Sequence, residues 1–473
     1  MAKKQKNSVI SALCVAYGER VPKDAAHISL AFGKTRDEIS VQDGIKRITL
    51  AIPEKKRGNM RALRILARKA VFVARREGVR TITISFREWT GRGITPVRAA
   101  RMLAENMAMA NYEFVALKTP PKEGWIFIDT LIVRGDVVSE AKKEFAKGLI
   151  IAKWVNRTRS LANTPGGLMT PAILAQHAIA YAKEVSVPMK VFGKKDLAQM
   201  GAGAILGVAQ GSVEEPKLIV AEYRGGKKNE KPIVLVGKGV TFDTGGINLK
   251  PSDHILGMNM DMSGGAAVLC SLFCAAELGM ERNVTAVVPA VENMPSGSSY
   301  RPGDVLRGMS GKTIEILNTD AEGRVILSDA LTYAKKFNPS LVVDVATLTG
   351  AAHVALGAHA SAIFTSDDTI AERALCIAEE SGDYVWRLPL WEEYEEEIKG
   401  TFGDVTNTNN KNSRYGGASH AAAFLWQFVK DAGYPWLHID IAPRTESAEG
   451  EFLAKGAAGA PVRMLMRLIE DNT

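Results

Sequence analysis

No apolar run in this 473-residue sequence approaches the roughly 20 residues that cross a bilayer as a helix, which excludes a helical membrane protein. Cysteine is scarce. The four present, Cys14, Cys270, Cys274 and Cys376, form no CxxC pair, zinc-finger spacing or disulfide framework, and so few thiols suit a reducing compartment, read here as the cytoplasm. The seven histidines are scattered singly and no HExxH occurs, so a histidine-built zinc site is not expected. Nucleotide cradles are also missing. Gly311-Lys312-Thr313 copies the end of a phosphate loop, but the glycine required five positions earlier is Leu306. Gly201-Ala202-Gly203 fails as a dinucleotide fingerprint, since the next glycine is Gly207, one position late, and a helix rather than a strand precedes it.

What remains is the balance of a globular protein: 46% hydrophobic, 24% charged and 7% aromatic residues, enough to bury sizeable cores in two or three domains. Lys3, Lys4 and Lys6 before the apolar residues 8–17 imitate a secretory signal. That stretch is short and polar-interrupted and has no clean cleavage site, so an opening β-strand is expected.

The net charge of +8 is unevenly spread: residues 1–135 hold 26 Lys and Arg against 12 Asp and Glu, and the rest 34 against 40. Opposite signs suggest two domains. In the basic part, Leu63, Leu66, Ala67, Ala70 and Val71 recur at helical spacing over residues 60–76, which would place Arg61, Arg64, Arg68 and Arg75 on one solvent-side stripe. Such a stripe is either an electrostatic footprint for DNA or a solvated or inter-subunit face.

Strands are expected at 81–86 and 125–133 around a helix at 96–109, an α/β layer. Residues 139–162 read as one linking helix ending at Asn163-Thr164-Pro165-Gly166-Gly167. Further strands follow at 218–223, 233–236, 285–291, 313–317, 341–348 and 438–441, with helices such as 264–278 and 328–337 between them. The expected fold is therefore α/β: a smaller N-terminal α/β domain (1–137), a linking helix (138–162) and a larger catalytic domain (163–473) whose mostly parallel sheet is covered by helices on both faces.

Chemistry concentrates in acids at expected strand ends. The strand at 233–236 runs into Lys238 and Asp243 within a glycine-rich turn, Asp261 stands before Ser263-Gly264-Gly265, and Asp320 and Glu322 follow the strand expected at 313–317. Carboxylates converging in an apolar setting cannot all stay ionised without cations. Oxygen donors without cysteine or histidine suit two divalent ions sharing carboxylates.

At these residues the sequence resembles the leucine aminopeptidase (cytosol aminopeptidase) family of two-metal exopeptidases. Residues 318–324 read NTDAEGR, its signature heptapeptide, and 236–246 with Lys250 and Asp261 matches its other metal-binding segment. Asn293-Met-Pro-Ser-Gly297 and Thr347-Leu-Thr-Gly350 also match, and the resemblance runs from about residue 156 to the C-terminus.

The resemblance implies that Asp243 and Glu322 bridge two metal ions, Zn or Mn, that Lys238 and Asp261 complete the tighter site, and that Asp320 completes the exchangeable one. Lys250 would polarise the scissile carbonyl, and Arg324 would hold a bicarbonate-like anion as general base. Met258, Asn318, Thr347, Leu348 and Gly350 would line the pocket for a leucine-like or other apolar first residue. Asn259, where relatives often carry lysine, and Ala457, where some carry a bulkier residue, bear on side-chain preference. Peptide substrates and a homohexamer are also implied. The competing function is nucleic-acid binding through the basic N-terminal domain. A pure binding module, however, has no physical reason to keep the whole metal set.

Overall fold

A computed structural model describes residues 12–471 apart from 92, 412 and 414. The lysines at 3, 4 and 6 and the start of the stretch at 8–17 lie outside the described residues; its end is the strand Cys14–Tyr17. Among the described residues, no helix is long and apolar enough to cross a membrane. The chain forms two compact units: Met1–Arg157 with Ser447–Lys455, and Thr158–Glu446 with Gly456–Thr473. The boundary after residue 157 falls inside the helix Ser139–Asn163.

The first unit is built on a six-stranded sheet in the order Cys14–Tyr17, Thr130–Arg134, Thr81–Ser85, Ala26–Phe32, Ile45–Ile52, Glu38–Gln42. Every pairing is parallel except that of the last two strands. Ile28 stands opposite both Ile48 and Ile84, and with Leu50, Ile82, Leu131 and Val133 these side chains are buried in one core with residues of helices Met60–Arg76 and Pro96–Ala110. Strand alternation and helical spacing thus present one apolar face each.

Two expectations fail in this unit. The strand expected at 125–133 exists only as Thr130–Arg134. Before it, side chains satisfy the backbone: Asn111 bonds both N–H and C=O of Ile128 at 2.7 Å, and Arg75 Nε donates to the Ile126 carbonyl at 2.8 Å. Helix Met60–Arg76 forms as expected, but its arginines are not a solvent stripe. Arg61 is exposed, whereas Arg64 and Arg68 are buried and Arg75 is half-buried. Arg68 donates to Asn106 at 2.8 Å and faces Glu451, and Arg75 pairs with Glu113 at 3.1 Å and lies over the Phe127 ring. Phosphates cannot reach charges already taken up by the fold, so the nucleic-acid reading loses its basis.

The second unit holds a nine-stranded, mostly parallel sheet. Its order is Val385–Arg387, Ser361–Phe364, Trp436–Asp440, Leu341–Ala346, Ile233–Gly237, Asn283–Asn293, Lys217–Arg224, Met189–Phe192, with Gly239–Asp243 also paired to Asn283–Asn293. The central strands Ile233–Gly237 and Leu341–Ala346 are near-continuous apolar runs because helices cover both faces. Val234 and Val236 join a core with Val325 and Ile326 of helix Glu322–Ala334 and Phe424 of helix Gly417–Val429. Helix Ser263–Glu277 touches the same strands yet contributes nothing to that core, so it covers the opposite face.

One expected strand belongs elsewhere. Thr313–Glu315 pairs with Val305–Arg307 and Val405–Thr406 in a separate three-stranded sheet. Asp320 and Glu322 therefore reach the site from a side layer and a helix start, not from an end of the main sheet.

Candidate active site

Glycine sets how closely the site's backbones approach. A Cβ on Gly264 would lie 2.2 Å from the Val345 carbonyl, and one on Gly237 would lie 2.7 Å from the Gly264 carbonyl, so only glycines let helix Ser263–Glu277 sit this close to the central strands. Gly265 N–H then donates to the Lys238 carbonyl at 2.7 Å. Lys238, just past its strand, and Asp261, just before its helix, are brought face to face by this contact.

Asp243 ends the strand Gly239–Asp243, in register with Asn293. The left-handed Gly245 and Gly246 turn the chain back there, and Asp243 Oδ1 accepts from Gly245 N and Asn293 Nδ2, each at 2.8 Å. Asn318 caps the single turn Thr319–Ala321 by accepting from Asp320 N–H at 2.8 Å, and Glu322 opens the next helix, where the N-terminal dipole favours a carboxylate.

These segments meet in one cluster. Lys238 Nζ lies 2.7 Å from Asp261, 2.8 Å from Glu322 and 2.9 Å from the Thr347 carbonyl. Lys250 Nζ lies 2.8 Å from Asp243 and is also paired with Asp320. Carboxylate oxygens of Asp243, Asp320 and Glu322 lie within 4.8 Å of one another. All are buried except Asp320, which is 32% exposed.

The electrostatics follow from burial. Burial, partly offset by Lys238 and reinforced by Glu322 and Asp243, pushes Asp261 up to about 8. Burial together with Asp243 and Glu322 pushes Asp320 up to about 7, and burial and Asp243 raise Glu322. Burial alone would lower Lys238 and Lys250, but the facing carboxylates outweigh it and keep both protonated. Burial brings Arg324 down to about 10.

Four carboxylates thus share two ammonium groups in direct contact. Glu322 Oε2 is buried and accepts no hydrogen bond, and its ion pair with Lys238 uses the other oxygen. A hard oxygen set with surplus negative charge and an orphaned buried acceptor fits divalent cations.

The other expected residues divide into two groups. Thr347 Oγ1 donates to Asp261 Oδ1 at 2.6 Å, while Leu348 N–H donates to Asp440 at 3.0 Å, and Gly350 opens helix Gly350–Leu356, capped by Thr349. Met258 is half-buried and Met260 and Met262 are buried, which leaves Met258 as the one of the three with accessible surface to offer. Asn259 Nδ2 donates to the Ala162 carbonyl, and Ala457 is buried. Asn318 and Arg324 instead line a cleft of about 660 Å³ together with Asn248, Leu317, Thr408, Asn409, Asn410, Ser413, Gly417 and His420. Arg324 Nη1 donates to the Asn407 carbonyl at 2.9 Å, and its buried Nε has no hydrogen-bond partner.

Sequence reasoning noted Asn293 only as part of a matching motif, without a role, and passed over Asn407 and the cleft residues Thr408, Asn409, Asn410, Ser413, Gly417 and His420. The amide-rich run Asn407-Thr-Asn-Asn410 before Gly416-Gly417 was the available signal, since amides beside glycines mark a loop built for hydrogen bonding.

Residues 156–466 match the family described as "Cytosol aminopeptidase family, catalytic domain". The chain is 45% identical over 384 residues to a probable cytosol aminopeptidase of Roseiflexus castenholzii, covering 80% of this chain and 78% of that protein. It is 45% identical over 366 residues to one of Methylobacillus flagellatus, covering 77% and 72%. Among solved structures, a mutant of tomato leucine aminopeptidase superposes with a TM-score of 0.87 at 27% identity, over 97% of each chain. The bottromycin maturation enzyme BotP in complex with Mn superposes with a TM-score of 0.85 at 31% identity, over 95% of this chain and 99% of that one.

Proposed function

Since the chain belongs to the cytosol aminopeptidase family and is a metal-dependent aminopeptidase acting on peptides, we propose the following roles for its residues. Asp243 and Glu322 would be shared between two divalent ions, Asp261 and Lys238, the latter as the neutral amine once an ion's charge displaces its proton, would complete the tighter site, and Asp320 would complete the exchangeable one. The observation that carries this reading is the surplus of buried carboxylate around Glu322 Oε2, which has no protein donor. When bound, such ions supply a nucleophile at neutral pH and Lewis acidity toward the scissile carbonyl.

The protein's own groups do the rest. Lys250, kept protonated by its carboxylate neighbours, donates to the carbonyl oxygen as negative charge develops there. Arg324 holds a bicarbonate-like anion as general base, a role supported by its unpartnered Nε at the cleft. Met258, Asn318, Thr347, Leu348 and Gly350 receive the first side chain, with preference for leucine-like residues. Zinc or manganese is the metal, the working assembly is a homohexamer and the setting is the cytoplasm.

The test is hydrolysis of a panel of aminoacyl amides with added Mn²⁺, Zn²⁺ or chelator. Release of leucine and methionine fastest, only with metal, is expected; full activity in demonstrably metal-free protein would overturn the reading.

A further inference from the structure

Asp440 is a buried acid that the roles above leave unused. It ends the strand Trp436–Asp440, in register with Ala346, the last residue of the neighbouring parallel strand Leu341–Ala346, and it is fully buried. A carboxylate placed there is costly unless donors surround it. Oδ1 accepts from Leu348 N–H at 3.0 Å, Ala442 N–H at 3.1 Å and Thr349 N–H at 3.4 Å, and Oδ2 accepts from the Thr349 hydroxyl at 2.6 Å. The same hydroxyl accepts from Ala352 N–H at 3.0 Å and so caps helix Gly350–Leu356.

Most of these donors belong to residues 347–349, the turn between that strand and that helix. The first residue of the turn is fixed by the carboxylate cluster: Lys238 Nζ donates to the Thr347 carbonyl at 2.9 Å, and Thr347 Oγ1 donates to Asp261 Oδ1 at 2.6 Å. The next two are fixed by Asp440. Leu348 is only half-buried and Gly350 is exposed, so the turn keeps accessible surface while its backbone is tied down at both ends. It cannot shift without leaving a buried carboxylate short of donors. In a binding wall, a displacement of about 1 Å is enough to spoil the fit.

We infer that Asp440 is a positioning residue for the pocket of the first side chain. Its carboxylate holds Leu348 and Thr349 in place, and thereby sets the preference for leucine-like over smaller first residues. The inference rests on the pocket assignment above, in which Thr347, Leu348 and Gly350 receive that side chain.

The test measures kcat and KM of the full-length, Mn²⁺-loaded enzyme on leucinamide and on glycinamide, which has no side chain for the turn to receive. Bound Mn²⁺ is measured on the same samples. Asp440→Ala is expected to lower the kcat/KM ratio of leucinamide to glycinamide about tenfold, the scale of one misfitted methylene, chiefly through KM for leucinamide. Asp440→Asn, which keeps an oxygen toward the two N–H groups of the turn, should restore most of the ratio. Should Asp440→Ala fail to fold, Thr349→Val, which removes the hydroxyl bonded to Oδ2, should lower the ratio by a smaller factor, and Thr349→Ser should restore it. Equal losses on both substrates or an unchanged ratio would overturn the inference. So would loss of bound Mn²⁺ from Asp440→Ala, which would make the turn a support for Asp261 instead. Wild-type enzyme that cleaves neither substrate would bring down the site assignment itself, and wild-type enzyme without preference for leucinamide would bring down the pocket assignment; this inference falls with either.

Discussion

Both units bury charge, but they neutralise it differently. In the first, buried cations have protein partners: Arg101 pairs with Glu105 at 3.1 Å and Glu144 at 3.4 Å, and Arg68 is bound to Asn106 and faces Glu451. In the second, Asp243, Asp261, Asp320 and Glu322 contact two lysines, and an acceptor oxygen of Glu322 is left over. Buried charge that the fold balances is structural, and buried charge that it leaves unbalanced calls for an ion. The basic part of the sequence thus drew attention as a binding surface, while the chemistry lay in the part of opposite net charge.

Breaking the unbalanced cluster should have the largest effects. Chelation should take peptidase activity to background, and Mn²⁺ or Zn²⁺ should restore it, as read by leucinamide hydrolysis. Within the cluster, metal analysis of purified variants should find both ions lost from Glu322→Ala but one from Asp320→Ala; equal partial loss in each would contradict the bridging role. Lys250→Ala should cost on the order of a hundred- to a thousand-fold in kcat with metal content kept, because the lost donor acts on substrate. Stoichiometric loss of metal would make Lys250 a ligand or a support instead.

The balanced unit should answer in stability. Arg101→Ala strips the paired cation from the buried Glu105 and should destabilise by about 3–5 kcal/mol in denaturant titration. A change within ~1 kcal/mol would show that the pair is not needed for balance. The smallest effect belongs to Lys122→Glu: this exposed position should shift stability by no more than about 0.5 kcal/mol. A larger shift would mean that its surface is engaged. Replacing the buried Arg68 by glutamate would put like charge beside Glu451, so that variant reads stability and not DNA binding.

Local periodicity carried much of the fold. The helices Met60–Arg76 and Pro96–Ala110 and the strands Ile233–Gly237 and Leu341–Ala346 were legible because their apolar spacing is a property of consecutive residues. The failures share a cause. Residues 125–129 have strand composition but spend their hydrogen bonds on Asn111 and Arg75, and Thr313–Glu315 pairs with Val405–Thr406 some ninety residues on. Arg64 and Arg68 looked solvated because Glu451, a partner of Arg68 from nearly four hundred residues away, could not be seen. At the site, the acids and glycines stood out by type and order, but the wall at 407–420 did not. Its role depends on which faces meet across a cleft.

The sequence alone determined the chemistry: an oxygen-rich acid set with Lys238, Lys250 and Arg324, held in glycine-rich turns whose residue types admit few other uses. It also determined the α/β class, because strand and helix periods are written in neighbouring residues. Only the tertiary structure decided which buried charges cancel and that Asp320 and Glu322 arrive from a side layer. Those outcomes depend on distances between residues far apart in the chain, and burial makes an unmet charge or hydrogen bond costly enough to matter.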